Sequence, residues 1–319
     1  MFRAAIYLPA WLAFLVAAVA FAARFVPVVN HSVLLVAAVS PYLTIGAGLV
    51  AVLLLLGQRS LWAAVPVLPL VVTAVLVQVP RFIGSGRAAV DSVPIRVLTA
   101  NLREGSVDPG ALVALARERA DLLVVQELTP ELAGELTRSG LESQFPYQAV
   151  DAREVAAGVG IWSRYPVTGS SRDSGYRLGM VTASLRVPGS STDTTVLAAH
   201  LVGPWPQPID GWRQELAQLP DTLDAAARAA GAGAVIVAGD LNATADMQPF
   251  RRLLRGGFND AADQSGAGLT PTFPADRSVP PLIGIDHILT FNSAASDLQT
   301  VRIPGSDHLG LIATVHVPK

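Results

Sequence analysis

The sequence predicts an α+β protein in which two packed β-sheets flanked by helices follow three membrane-spanning helices. Three observations predict this architecture. The chain of 319 residues is 51% apolar and only 15% charged, whereas a typical soluble domain carries roughly 25% charged residues. Residues 1–90 contain three long uncharged runs. After them, short β-rich runs are interleaved with helical segments without the strict βαβ alternation of a parallel sheet.

The apolar runs cover about 4–23, 33–57 and 61–80. Each is about as long as the ~20 residues that a helix needs to cross ~30 Å of hydrocarbon. A signal peptide would explain one run but not three in tandem, and the alternative is two spans with one interfacial segment. The five arginines of 1–90, two on one side of the predicted spans and three on the other, disfavour an exported domain by one charge. Charge alone therefore leaves the orientation open.

Residues 81–93 contain two Gly and two Ser and are followed by Pro94, which predicts a short linker to a domain over 94–319. In that domain Asp108 and Pro109 are typical of a helix N-cap and first position. The predicted strands cover 95–100, 121–126, 158–163, 181–187, 195–200, 234–238, 285–290, 298–303 and 311–317. The predicted helices cover 108–120, 130–138, 210–230 and 248–255.

Charge and composition exclude several classes of protein. Residues 91–319 carry 18 basic and 25 acidic residues, a balance of −7, and the chain has no cysteine. An acidic domain repels a polyphosphate backbone, so broad nucleic-acid binding is not expected. The lack of cysteine excludes a disulfide framework and cysteine-based metal sites.

Polar residues collect where the apolar strands end. Carboxylates and amides at strand ends supply the hard oxygen ligands that Mg²⁺ prefers, and a histidine beside a carboxylate is a better proton acceptor. The set therefore suits metal-assisted attack on phosphorus. Its members are Asn101, Glu127, His200, Asp240, Asn242, Asp286, His287, Asp307 and His308.

Six short motifs in this region resemble those of the endonuclease/exonuclease/phosphatase superfamily, which includes DNase I-like nucleases, inositol polyphosphate 5-phosphatases and neutral sphingomyelinases. In chain order they are TANL, QE, AAHL, GDLN, IDHI and SDHLG. The resemblance covers about 94–319 and implies a four-layered α/β/β/α sandwich. It also implies a hydrolase that uses in-line attack of water without a covalent intermediate.

The resemblance assigns a role to each matching residue. Glu127 is the main metal ligand, with Asn101 beside it and Asp307 at the metal directly or through water. His308 is the general base or phosphate-contacting histidine, and Asp286 orients it. Asp240 positions or deprotonates the attacking water, Asn242 holds the phosphate, and His200 donates to a phosphate oxygen or the leaving group. Arg103 stands where some DNA-repair members carry an acidic residue, which favours one Mg²⁺ or Mn²⁺ over two.

Other polar and aromatic residues have simpler interpretations. His287 follows Asp286 on a strand and points to the opposite face, so we expect a structural role, as for His31 and His316. For Trp205 in the loop GPWPQP we favour ordinary packing over contact with lipid headgroups. Five residues in or near loops are candidates for substrate contact, and their roles stay open: Arg172, Arg177, Trp205, Trp212 and Arg213.

Tethering to a bilayer raises the effective concentration of membrane-embedded substrates, so a lipid-linked phosphate or diphosphate is the expected substrate. The architecture also resembles bacterial membrane phosphatases associated with glycopeptide resistance. That resemblance implies an outward-facing, extracytoplasmic domain on a multi-pass plasma-membrane protein, and a substrate such as undecaprenyl pyrophosphate. The alternatives are a membrane-anchored nuclease, a phospholipase C or sphingomyelinase-type phosphodiesterase, and a non-enzymatic scaffold. The sequence leaves the oligomeric state open.

Overall fold

The computed structural model describes residues 2–58, 65–85 and 91–319. Its N-terminal part is helical, and the long first and third helices pack along each other. The helices are α1 (Phe2–Ala23), α2 (His31–Ala38), α3 (Ser40–Gly57), α4 (Val67–Gln78) and α5 (Pro80–Ile83). Asn30 caps α2 by accepting a hydrogen bond from the backbone N–H of Val33 at 3.0 Å, as an asparagine before a helix commonly does.

Within the described ranges, only α3 is both long and apolar enough to cross a membrane. Shorter apolar helices cover Tyr7–Ala23 and Val67–Ile83, so the prediction of three spans is not supported. The second predicted run, 33–57, is divided at Val39, because Pro41 lies in the first turn of α3 and starts a new helix there. The beginning of the third run, including Trp62, lies outside the described residues.

Two six-stranded sheets form the body of the protein. The strands of the first sheet are β1 (Ser92–Asn101), β2 (Leu122–Gln126), β3 (Tyr147–Asp151), β4 (Val159–Ser163), β11 (Ala294–Arg302) and β12 (Leu309–Pro318). The strands of the second are β5 (Val167–Arg172), β6 (Met180–Leu185), β7 (Thr194–His200), β8 (Val235–Asp240), β9 (Asn259–Asp260) and β10 (Asp286–Phe291). The first sheet has the strand order β11-β12-β1-β2-β4-β3 and the second has the order β5-β6-β7-β8-β10-β9.

Helices cover the outer faces of the two sheets. They are α6 (Pro109–Arg119) and α7 (Pro130–Arg138) on the first sheet, and α8 (Ile209–Ala230) and α9 (Gln248–Leu253) on the second, with α10 (Ala261–Ser265) near β11. Alternate residues of β1 point to opposite layers: Val97 lies in the core between the sheets and Leu98 packs under α6 and α7. The predicted sandwich of two sheets flanked by helices is confirmed.

The helical N-terminal part is docked onto the second sheet. Leu34 and Ala37 of α2 are buried in the same apolar cluster as Trp212 of α8 and Phe250 of α9. The first residues of the predicted linker, 81–93, are helical rather than extended, because they belong to α5, and Arg81 is buried. Helix α5 is therefore part of the contact with the domain.

Candidate active site

The register of the strands brings the predicted polar residues to one edge of the sandwich. In the first sheet β1 runs parallel to β2 with Asn101 opposite Gln126, so Asn101 and Glu127 end neighbouring strands. In the second, Asp240 of β8 lies opposite both His200 and Asp286. One side chain joins the two groups, since the amide nitrogen of Asn101 donates to Glu127 Oε1 at 3.0 Å and to Asp240 Oδ2 at 3.1 Å.

Several residues at this edge have strained backbone conformations of the kind that cluster at functional sites. Glu127 has φ of 57° and Asn242 has φ of 50°, both in the left-handed region. Gly239 has φ of 151°, and a Cβ at that position would lie 1.9 Å from the carbonyl oxygen of Ala199. Glycine is therefore required immediately before Asp240. Such strain persists only where the surrounding structure fixes it.

Asp286 and His308 form a buried pair. Asp286 Oδ2 lies 2.8 Å from His308 Nδ1, and His308 Nε2 lies 3.9 Å from Asp240 Oδ2. The backbone N–H of His308 donates to Ser306 Oγ at 2.9 Å, and that hydroxyl donates to the carbonyl of Asn101 at 2.7 Å. Asp286 and Ser306 thus fix the ring so that Nε2 faces Asp240.

His200 reaches the same point from β7. Its Nδ1 lies 3.0 Å from the carbonyl oxygen of Ala156, which can only accept, so Nδ1 carries the proton. Its Nε2 lies 3.8 Å from Asp240 Oδ2 and 3.9 Å from Glu127 Oε1. In the neutral ring Nε2 therefore carries a lone pair and can only accept a hydrogen bond, whereas the family resemblance implies that His200 is a donor.

Burial and mutual repulsion shift the pKa values of these groups. Burial, with the charge of Asp286, raises the pKa of Asp240 to about 7, and burial raises the pKa of Glu127 as well. Burial alone would lower the pKa of His308, but the charge and hydrogen bond of Asp286 raise it to about 10. Burial and the neighbouring His308 lower the pKa of His200 to about 4. At neutral pH His308 is therefore charged and His200 is neutral.

The donor set fits a divalent cation. Oxygens of Asp240 and Asp286 and a nitrogen of His308 lie within 4.8 Å of one another. Asp240 and His308 line a groove together with Glu127 and Asp307, and we call it the catalytic groove. Asp286 Oδ1 is buried without a hydrogen-bond partner. Carboxylate oxygens at this density are typical of Mg²⁺ or Mn²⁺ sites. The charged His308 has no lone pair for a cation. Both oxygens of Glu127 accept a hydrogen bond, from the amide of Asn101 and the backbone N–H of Glu104, but each keeps a second lone pair, so Glu127 and Asp307 are the candidate ligands.

Asn101 differs from its predicted part as a metal ligand. Its Oδ1 accepts from the backbone N–H of Arg103 at 2.9 Å, while its nitrogen faces Glu127 and Asp240. Two carboxylates can only accept, so the amide must present its N–H groups to them. Asn101 therefore positions the carboxylates, and its oxygen faces away from them.

The remaining predicted residues lie in different places. Asn242 and Asp307 line the groove, and Asn242 Nδ2 donates to the carbonyl of Leu201 at 2.9 Å. Arg103 pairs with Asp276 at 3.1 Å. Trp212 is fully buried, so it cannot contact substrate, and Arg213 pairs with Asp210 on the surface.

Trp205 is more exposed than the sequence predicts, and Phe273 lies at the site although the sequence does not predict it. Trp205 is 61% exposed and its ring meets His31 edge-on at 4.8 Å, so its packing is less complete than expected. The ring of Phe273 lies 4.9 Å from that of His308. No polar motif marks Phe273, whereas Ser306 stands inside the SDHLG motif.

His287 has the structural surroundings that its strand position predicts. Its Nδ1 lies 2.9 Å from Asp260 Oδ2 and its Nε2 lies 2.8 Å from the carbonyl of Ala243. Both ring nitrogens therefore have partners, and neither faces the groove. Among the described residues, Asp260–His287 and Asp286–His308 are the buried Asp–His pairs joined by a hydrogen bond, and of these two only Asp286–His308 reaches the carboxylate cluster.

The family model described as "Endonuclease/Exonuclease/phosphatase family" matches residues 98–308. The chain belongs to the endonuclease/exonuclease/phosphatase family. Members of this family are hydrolases that act on phosphoester bonds, and they typically depend on a divalent metal. No curated protein matches the chain.

Solved structures of this family share the fold at low sequence identity. A D. rerio TDP2 humanized by 14 mutations is 17% identical with a TM-score of 0.58, covering 70% of this chain and 98% of its own. An endonuclease/exonuclease/phosphatase from Bacteroides vulgatus is 16% identical with a TM-score of 0.55, covering 70% and 98%. Sphingomyelinase C from Streptomyces griseocarneus is 18% identical with a TM-score of 0.52, covering 70% and 99%. These likenesses show the DNase I-like fold.

Proposed function

We propose that this chain is a membrane-anchored, divalent-metal-dependent phosphohydrolase. It cleaves a phosphoester or phosphoanhydride bond of a lipid-linked phosphate or diphosphate, such as undecaprenyl pyrophosphate, by in-line attack of water. The proposal joins the phosphoester chemistry of the family to an N-terminal helical part that is docked beside the catalytic groove. The ion is Mg²⁺ or Mn²⁺, and one ion is sufficient.

The observation that carries the proposal is the buried contact between the apolar helices and Asp246. Arg24, which follows α1, and Arg81 of α5 both pair with this carboxylate, the latter at 2.7 Å, and all three side chains are less than 10% exposed. Gln78 of α4 donates to it at 2.9 Å. Asp246 lies six residues after Asp240, so the helices are held close to the catalytic groove.

The surface of the helices supports anchoring in a bilayer. Large apolar side chains stand outward on each of the three longer helices, and hydrocarbon is the medium in which such a surface is stable. Examples are Leu12 of α1 at 52% exposure, Leu53 of α3 at 67% and Leu76 of α4 at 62%. We propose α3 as the principal span, with α1 and α4 beside it.

Asp240 is the proposed general base. Its pKa of about 7 is close to the neutral optimum for proton transfer, and His200 Nε2 and His308 Nε2 lie 3.8 and 3.9 Å from one of its oxygens. A water between these groups would lose its proton to Asp240. The lone pair of neutral His200 would orient the same water.

His308 is the proposed contact for a phosphate oxygen. With a pKa of about 10 it carries a proton on Nε2 at neutral pH, and Asp286 balances the charge and holds the ring. Asn242 has an amide hydrogen left over for a second phosphate oxygen. When bound by Glu127 and Asp307, a divalent cation would neutralise the phosphate and stabilise charge on its equatorial oxygens.

Purified full-length protein in detergent with Mg²⁺ tests this function against the alternatives. The substrates are farnesyl diphosphate, sphingomyelin, phosphatidylcholine and supercoiled plasmid DNA, each with and without EDTA. We expect EDTA-sensitive release of phosphate from the diphosphate and slow or undetectable turnover of the others. Preferential cleavage of the phospholipids or of DNA would refute the proposal in favour of a phosphodiesterase or a nuclease.

The location of the domain needs a separate measurement. We propose that the protein resides in the plasma membrane with its catalytic domain extracytoplasmic. A reporter active only outside the cytoplasm, fused after Lys319, should be active. A cytoplasmic reporter at the same position should be inactive, and the reverse pattern would place the domain inside.

A further inference from the structure

One wall of the catalytic groove is built by the N-terminal helices. The groove has a volume of about 580 Å³, and its polar end holds Glu127, Asp240 and His308. Its apolar side is lined by Leu34, Leu35 and Ala38 of α2. Met247, Phe273, Ile283 and Ile285 line it as well. The groove therefore combines a charged cluster with an apolar lining, as a site for an amphiphile would.

Helix α2 is fixed in this position by its own contacts. His31 Nε2 lies 2.9 Å from the carbonyl oxygen of Pro204 and donates to it, and the His31 ring meets Trp205 edge-on. Leu34 is 4% exposed. These contacts hold α2 as an ordered wall of the groove.

The apolar wall continues to the surface. Leu35 is 57% exposed and Trp205 is 61% exposed, although both line the groove. Tyr42, in the first turns of α3, is 42% exposed. Because α3 begins at Ser40, two residues after Ala38, an apolar chain leaving the groove along α2 reaches the candidate membrane span directly.

We infer that the α2 wall binds the hydrocarbon chain of the substrate adjacent to its phosphate, and that Leu35 is a residue that determines specificity for chain length. The inference rests on the proposed function. Each methylene removed from water contributes ~0.8 kcal/mol, or about four-fold in binding. A chain long enough to cover Leu35 should therefore be preferred over a short one with the same headgroup by tenfold or more.

Two diphosphates with the same headgroup test the inference in the full-length protein in detergent. Farnesyl diphosphate carries fifteen carbons and dimethylallyl diphosphate carries five. For the wild type we expect kcat/KM to be at least ~10-fold higher for the longer substrate. Leu35→Ser should raise KM for farnesyl diphosphate by roughly 10-fold, with little change in kcat or in turnover of the short substrate.

Two control variants separate the groove wall from general apolar surface. Leu35→Met keeps an apolar side chain and should retain the preference. Val29→Ser removes an apolar side chain of similar exposure, 50%, that does not line the groove, and it should also retain the preference.

A third variant tests the groove wall directly. Ala38→Phe places a larger side chain among the apolar residues that line the groove and should slow hydrolysis of the longer substrate alone.

The outcomes are distinguishable. If the wild type hydrolyses both diphosphates equally well, or if Leu35→Ser slows both substrates alike, the inference is wrong while the proposed function stands. If the wild type hydrolyses neither diphosphate, the proposed function fails and the inference fails with it. A loss of chain-length preference in Val29→Ser equal to that in Leu35→Ser would also overturn the assignment to the groove wall.

Discussion

Replacing Asp286 by Asn should separate the charge of the Asp286–His308 pair from its shape. The pair is buried with a contact of 2.8 Å, and Asp286 is the main reason that the pKa of His308 rises from its ordinary 6.5 to about 10. At 1.36 kcal/mol for each pKa unit, this rise corresponds to an interaction on the order of 5 kcal/mol in favour of the charged ring. The amide keeps the volume but not the charge, so the pKa should fall by about 2 or more.

The assay is the titration of the His308 ring by NMR in protein labelled at histidine, in EDTA, alongside kcat in Mg²⁺. We expect kcat to fall by about 10²–10⁴-fold, because an amide partner favours the wrong tautomer and no longer stabilises the charged ring. The matched control is Asp260→Asn, which alters the other buried Asp–His pair, Asp260 with His287 at 2.9 Å. Equal losses of kcat in the two variants would refute a specific role for Asp286, as would an unchanged His308 titration in Asp286→Asn.

Three other carboxylates hold the metal site, the helix contact and the second Asp–His pair. Glu127→Gln should weaken Mn²⁺ binding, followed by electron paramagnetic resonance, by roughly 10-fold or more, and unchanged affinity would remove Glu127 from the metal site. Asp246→Asn should lower the free energy of unfolding by about 3 kcal/mol, because the buried Arg24 loses its paired carboxylate and Arg81 keeps only Asp263, at 3.6 Å. Asp210→Asn at an exposed pair should cost about 1 kcal/mol or less. Burial lowers the pKa of His287, but the charge and hydrogen bond of Asp260 outweigh it, so the pKa is raised. The charged pair therefore stabilises the fold fully below the ordinary pKa of ~6.5, and this stabilisation is lost as the pH rises through the raised pKa. Asp260→Asn should therefore destabilise the protein more at pH ~6 than at alkaline pH, and a pH-independent difference would contradict the charged pair.

The strand-end residues were predictable because strand order and residue type constrain them together. Apolar runs ending in Asn101, Glu127, His200 and Asp240 indicate buried strands whose ends carry polar groups, and parallel neighbours place such ends at one edge. The roles of the side chains were less predictable. The amide of Asn101 faces Glu127 and Asp240 with its nitrogen, which only the three-dimensional arrangement of two carboxylates determines.

Strands that lack alternating apolar and polar residues are not predicted from the sequence. Strand β5 has the sequence VTGSSR and is almost wholly exposed, so no pattern of buried positions marks it. Strand β3 lies at the edge of the first sheet and is held by pairing with β4. In both, partner strands rather than local sequence fix the conformation, as tertiary contacts commonly do for β-structure.

Hydropathy is the only sequence signal for the N-terminal helices, and hydropathy does not predict a docking contact. Uncharged runs predict spans, but Pro41 divides the second run into α2 and α3, and α2 then packs on the catalytic domain. Arg24 and Arg81, two of the five arginines of 1–90, give the sequence only a signal about membrane topology. Their burial against Asp246 shows that the same two charges also attach the helices to the second sheet.

The segment from Gly239 to Met247 links chemistry to anchoring. Asp240 and Asn242 face the groove, the carbonyl of Ala243 accepts from His287, Asp246 holds Arg24 and Arg81, and Met247 lines the apolar side. Six residues of extended chain span at most ~20–22 Å, so the reacting phosphate lies within about that distance of the helix ends that meet Asp246. If the protein is anchored as we propose, this reach suits a phosphate held at the headgroup level of the bilayer, while a substrate in bulk solution would gain nothing from it. The position of Asp246 in the chain is therefore consistent with the proposed lipid-linked phosphate, on geometric grounds that are independent of the charge of the domain.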